Sequence, residues 1–219
     1  MKNLLFPICL TLIAYLLPAQ NAQYHSAMTK AVAALDSADT PADYQAAANT
    51  FSRIAQAEPK EWLPLYYAAF SLMNQAFPMF REDAAKAIQA LDLAQATLDK
   101  AKALAPGESD LAVLQAYLYI GRVMENPMVK GAEMTPKVFG ELEKAAAINP
   151  GNPRAAFLQG TYVLNMPEFY GGGAANAKPH FEKAAALFEQ EKDRGLLPHW
   201  GKQANAYYLE QLGQPGKGQ

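Results

Sequence analysis

The sequence predicts an all-α fold, an α-solenoid of about nine helices arranged as antiparallel pairs. Three observations lead there. The chain is rich in alanine and leucine with few β-branched runs, and such unbranched side chains lose little freedom in a helix. It is also self-similar: Pro59, Pro106 and Pro150 each close a helical pattern, and ten positions after each stands a small residue, Ala69, Ala116 and Gly160. Finally, the positions 12, 8 and 5 before each proline read Ala47/Phe51/Ile54, Ala94/Leu98/Ala101 and Val138/Leu142/Ala145. A unit of that length cannot bury its apolar face alone, so it stacks against its neighbours.

The chain begins with residues that belong to export rather than to the fold. Lys2, an apolar stretch from Leu4 to Leu17, and the polar end Pro18-Ala19-Gln20-Asn21-Ala22 follow the order of a secretory signal peptide, assigned to residues 1–22. The 14 apolar residues are short for a membrane span, which takes about 20, although an uncleaved anchor is the rival reading. Gln20 stands where a small residue is preferred, and cleavage anywhere from Ala19 to Gln23 fits. The sole cysteine, Cys9, lies inside the leader, so the mature chain has no disulfide. A bacterial periplasm or cell envelope permits that. Residues 23–212 form the helical domain and 213–219 a disordered tail. With 19 basic and 21 acidic residues and no basic run, nucleic acid is disfavoured as a partner.

Each helix has its own signals. Tyr24, Ala27, Met28, Ala31, Val32 and Leu35 share one face of a first helix ending near Asp36 to Asp39. Thr40-Pro41-Ala42-Asp43 supplies an N-cap, a first-turn proline and an acid at the positive end of a second helix, which stops before Pro59. The run from Trp62 to Ala76 is apolar almost all round and ends at Phe77-Pro78. Arg81 to Leu104 is expected to be the longest helix. Ser109 is placed as the cap of a helix through Met124, and Thr135-Pro136 as the start of the next, with an irregular loop from Glu125 to Met134 between them. Asn152-Pro153 opens another helix, closed by Asn165-Met166-Pro167 and followed by the glycine-rich loop Glu168 to Gly173. Pro179 argues for an N-cap at Asn176, and that helix ends near Lys192, before Gly195. A last helix is expected from about Pro198 to Leu212.

A small residue at the helix crossing, with an alanine, large apolar, alanine series before a closing proline, resembles the tetratricopeptide repeat. The unit of Gly160 with Ala177/Phe181/Ala184 is the best match. The resemblance covers roughly Tyr24 to Leu212, although the closing prolines lie 47 and 44 residues apart and most units lack the expected aromatic early in the first helix. The surplus is read as longer helices and as insertions at Phe77 to Phe80, Glu125 to Met134 and Glu168 to Gly173. The loop Pro167 to Gly173 further resembles periplasmic repeat proteins that accompany bacterial solute transporters.

In that family the first helix of each pair lines a concave groove. The resemblance implies groove positions at Leu63, Tyr66, Phe70 and Met73; Val113, Tyr117 and Ile120; and Arg154, Phe157, Thr161 and Leu164. An aromatic and aliphatic groove suits a hydrophobic segment of a periplasmic or envelope protein, the primary expectation, or a small apolar ligand held beside a transporter. Alternatively the terminal helices fill the groove and these residues are ordinary core. His25, His180 and His199 are scattered, so no metal site is expected. Gly171 to Gly173 lack the strand and the lysine of a nucleotide loop and suit a tight turn. No cofactor motif, nucleophile elbow or acid/base pair stands out, and the expectation is a protein that is not an enzyme; a hydrolase on the same scaffold is the remaining rival.

Overall fold

The computed structural model describes residues 22–213. The predicted leader, apart from Ala22, and the tail beyond Gly213 lie outside the described residues. Those residues form nine α-helices, one short 3-10 turn and no strand: α1 (22–36), α2 (Pro41–Ala57), α3 (Leu63–Met79), α4 (Ala84–Leu104), α5 (Ser109–Val123), α6 (Pro127–Ile148), α7 (Pro153–Asn165), the 3-10 turn Glu168–Tyr170, α8 (Ala174–Gln190) and α9 (Lys202–Gly213). No helix among them is long and apolar enough to cross a membrane.

Side-chain caps set four of the starts. Thr40 and Asp43 form a reciprocal capping box, with the Asp43 N–H donating to Thr40 Oγ1 at 3.2 Å and the Thr40 N–H to Asp43 Oδ2 at 3.0 Å. Asp83, Asn126 and Asn152 cap α4, α6 and α7 with their side chains. The series read before each proline is buried throughout except at Ile54, which is half-buried. Gly160 shows why the crossing residue is small: a Cβ there would meet the Phe181 ring at 3.0 Å. Heavy packing joins α2 to α3, α3 to α4, α5 to α6 and α7 to α8, while α3, α5 and α7 also touch one another in series.

Five expectations about helix ends need correction. Pro78 lies inside the last turn of α3, one residue before the helix ends, so little helix remains beyond it to be disrupted. The irregular loop expected over Glu125 to Met134 is helical, since α6 runs from Pro127 through Pro136 without stopping and, at 22 residues, is longer than α4. The Thr135 hydroxyl donates to the Gly131 carbonyl at 2.6 Å and lies 2.7 Å from Tyr162 Oη, and Met134 is buried, so local bonding and tertiary contact outweigh the proline. Gly173 rather than Asn176 precedes α8. Ser109 is the first residue of α5 and gives its hydroxyl to the Ala145 carbonyl of α6, 2.9 Å away. The last helix begins at Lys202, because residues 198–201 are spent on a turn.

The glycine-rich loop is a tight turn. Gly171 and Gly173 have φ of 84° and 91°, a region that disfavours residues with a Cβ, and a Cβ on Gly172 would overlap the Met166 carbonyl.

Candidate binding site on the face of α3, α5 and α7

Residues 191–201, which join α8 to α9, form a strap across the N-terminal halves of α3, α5 and α7. Its anchors are ionic and deeply placed. Arg154 of α7 is fully buried and makes a bidentate pair with Glu191, Nη1 to Oε1 at 2.7 Å and Nη2 to Oε2 at 3.0 Å. Arg194 donates to Asp110 of α5 at 2.8 Å and to the Pro198 carbonyl at 2.9 Å. Burial works against the Arg194 charge, but the bond to Asp110 and the charges of Asp110 and Glu191 outweigh it and raise its pKa. Asn152 steadies the other Asp110 oxygen at 2.9 Å and also donates to Ser109 Oγ. Tyr67 donates to the Leu196 carbonyl at 2.8 Å, and His199 meets Asp36 at 3.2 Å, so the strap reaches α1 as well.

Trp200 is the apolar anchor. Its indole N–H donates to Tyr66 Oη at 2.7 Å, its ring stacks on Phe70 and Tyr117 at 5.3 and 5.9 Å between centroids, and it meets Phe157 edge-on at 6.3 Å. The Arg154 guanidinium lies 5.8 Å from the Trp200 and Phe188 rings alike, a cation–π arrangement that compensates a desolvated charge.

The implied groove positions divide accordingly. Leu63, Tyr66, Met73, Val113, Arg154 and Phe157 are buried, whereas Phe70, Tyr117, Ile120 and Thr161, with Leu164, are half-buried. Tyr117 packs edge-on against Phe77 at 4.9 Å and donates to Asn74 Oδ1 at 3.3 Å. Tyr208 of α9 stacks on Phe181 at 5.0 Å and tilts against Phe157 at 6.2 Å, forming the far wall. Burial is the main cause that pushes the Tyr117 phenol well up, with Tyr44 and Tyr208 adding to it, so Tyr117 acts as a neutral hydroxyl. Tyr66 is raised still more surely by burial and then by Asp110.

This arrangement leaves Phe70, Phe77 and Tyr117 with part of their surface exposed at the margin of an aromatic cluster, beside the Asn74 amide. It offers no positioned nucleophile with a base. Among the described residues no group of three histidine, cysteine, aspartate or glutamate side chains could hold a metal ion. Sequence reading missed Asp110, Glu191 and Arg194 and placed Trp200 in the stripe of the last helix. The signal that could have found them is slight: two arginines and two acids in segments otherwise read as apolar core or turn.

No protein-family model matches the chain, and no curated protein matches it in sequence. Among solved structures it is similar to the HusA haemophore from Porphyromonas gingivalis, at 32% sequence identity and a TM-score of 0.77, over 87% of this chain and 92% of that one. That neighbour, a haemophore, is a binding protein. With that identity over nearly the whole of both chains, the protein belongs to the family of the HusA haemophore.

Proposed function

We propose that this chain is an exported, non-catalytic binding protein of the bacterial periplasm or envelope, and that its ligand is haem or a similar flat porphyrin. The observation that carries this reading is the group of half-buried aromatic side chains beside Trp200, namely Phe70, Phe77 and Tyr117, in a chain of the haemophore's family. A right-handed superhelix of tetratricopeptide type gives that group a concave setting, residues 23–212 act as one unit, and the leader is lost on export. Haem is cargo here, and the residues fit its macrocycle better than its iron. Phe70, Phe77 and Tyr117 keep part of their surface exposed beside Trp200, Met73 is buried, and Tyr117 keeps its proton. Binding through ring faces makes the metal dispensable.

The test uses the full chain expressed with its own leader and purified from a bacterial periplasm without detergent. Titration with haemin and with metal-free protoporphyrin IX, followed by the porphyrin absorption band and by tryptophan fluorescence, is expected to give one-to-one binding with dissociation constants within about tenfold of each other. Binding of neither sinks the proposal. Binding of haemin alone replaces ring stacking with iron ligation.

A second reading, a protein partner in the envelope, rests on a different surface. Met128 and Val129 at the start of α6 are 92% and 61% exposed, and Phe169 and Tyr170 of the 3-10 turn 79% and 70%. Large apolar groups so placed favour contact with another chain.

A further inference from the structure

A cleft of about 660 Å³ lies between α1 and α2, at the opposite end of the helix series from α9 and apart from the aromatic row. Its apolar lining comes from Ala27, Ala31 and Ala34 of α1 and Ile54 and Ala57 of α2, with Lys30 contributed by one helix and Arg53 by the other. The molecule shows what such a space between paired helices takes. Between α7 and α8, the corresponding groove is filled by α9, through Tyr208 stacked on Phe181 and the Asn205 amide donating to the Phe181 carbonyl at 3.1 Å. Among the described residues nothing fills the groove of α1 and α2.

Its charges are arranged along its length. Arg53 bonds only to the Thr50 hydroxyl at 3.1 Å, and neither it nor Lys30 has a carboxylate partner among the described residues. Glu58, which has an interaction of its own, lines the end shared with Gln23 and Tyr24. Burial, and then the charges of Glu61 and Glu58, push the Tyr24 phenol up to about 12, so that end is unfavourable to a further anion. An anionic head is thereby directed to Lys30 and Arg53, and an apolar body to the alanine and isoleucine floor. A volume of this size is within the range of small-molecule sites, which runs to about 1,000 Å³.

From this cleft, its paired cations and the filled groove at the other end, we infer that α1 and α2 form a second binding site, for an amphiphile with a carboxylate head and a long apolar chain. It is independent of the porphyrin reading. Titration of the same periplasmic preparation with the fluorescent long-chain carboxylate cis-parinaric acid is expected to give saturable one-to-one binding. Lys30→Ala and Arg53→Ala, both at polar edges, should each weaken it by about tenfold, the scale of one charged hydrogen bond. Ala27→Trp, which fills the cleft, should abolish it while thermal melting stays that of a folded protein. Saturating protoporphyrin IX should leave it unchanged. Absence of saturable binding overturns the inference, as does binding that survives both Ala27→Trp and loss of the two cations. Displacement by protoporphyrin also overturns it, because the carboxylate then occupies the aromatic row, whether or not the porphyrin reading stands.

Discussion

The two halves of the α3, α5 and α7 face differ in charge and in covering. Near the starts of these helices, Tyr66, Asp110 and Arg154 are sealed under the strap, bonded to Trp200, Arg194 and Glu191. A turn or two further on, Phe70, Tyr117, Ile120 and Thr161 keep part of their surface in solvent. The covered half carries the charged side chains that hold residues 191–201, and the other half has none. An apolar groove is stable when something sits in it, and here the chain occupies half of its own groove with eleven residues, 191–201.

That contrast can be broken most forcefully at Arg154. Arg154→Ala leaves the Glu191 carboxylate without its bidentate partner in a site only 17% exposed, and the expected cost is about 4 kcal/mol by chemical denaturation. A loss under about 1 kcal/mol would mean that the strap is not held by its ions. Trp200→Ala should cost about 3 kcal/mol, in the lower range for removal of a large ring, and should change porphyrin binding, since it opens the space beneath Phe70 and Tyr117. Unchanged porphyrin titrations in this variant would separate the strap from the binding site.

Gly160→Ala probes the layer behind both halves. Its Cβ would press on the Phe181 ring, and a destabilisation of about 2 kcal/mol is expected in thermal unfolding, with ligand binding intact. Thr40→Ala, remote from the face, removes a side-chain cap and should cost about 1 kcal/mol near neutral pH. The hydrogen bond from the Thr40 hydroxyl, followed by backbone N–H groups of Thr40 and Asp39, holds the Asp43 carboxyl below its usual range. Its contribution is therefore present above the ordinary carboxylate pKa and lost as pH falls through the lowered one, so wild type and Thr40→Ala should converge in acid. The smallest stability effect is expected at the open half: Thr161→Ala should change melting little while weakening porphyrin binding, and equal effects on both would place Thr161 in the core.

Much of the fold is legible in the sequence because helix formation here is a local matter. Ala94, Leu98 and Ala101 repeat at helical spacing, Thr40 and Asp43 cap in place, and a glycine at 160 announces a close crossing by its position ten residues after a closing proline. Helix ends with internal prolines escape such reading for a physical reason. Pro136 breaks a bond in isolation, yet α6 keeps its course because Thr135 bonds to Gly131 and Tyr162 and Met134 is packed inside. The candidate site is legible as a set of positions, but not in its division into covered and open halves.

The amino-acid sequence alone determined that this protein is a series of helix pairs with alanine or glycine at the crossings, because those choices depend on neighbours three, four and ten residues away. Only the tertiary structure decided where the apolar face is sealed. Arg194 meets Asp110 across 84 residues and Trp200 meets Tyr66 across 134, and no periodicity carries information over such separations. Those contacts form because a buried charge or indole N–H must find a partner, and the folded face of α3, α5 and α7 is where the partners stand.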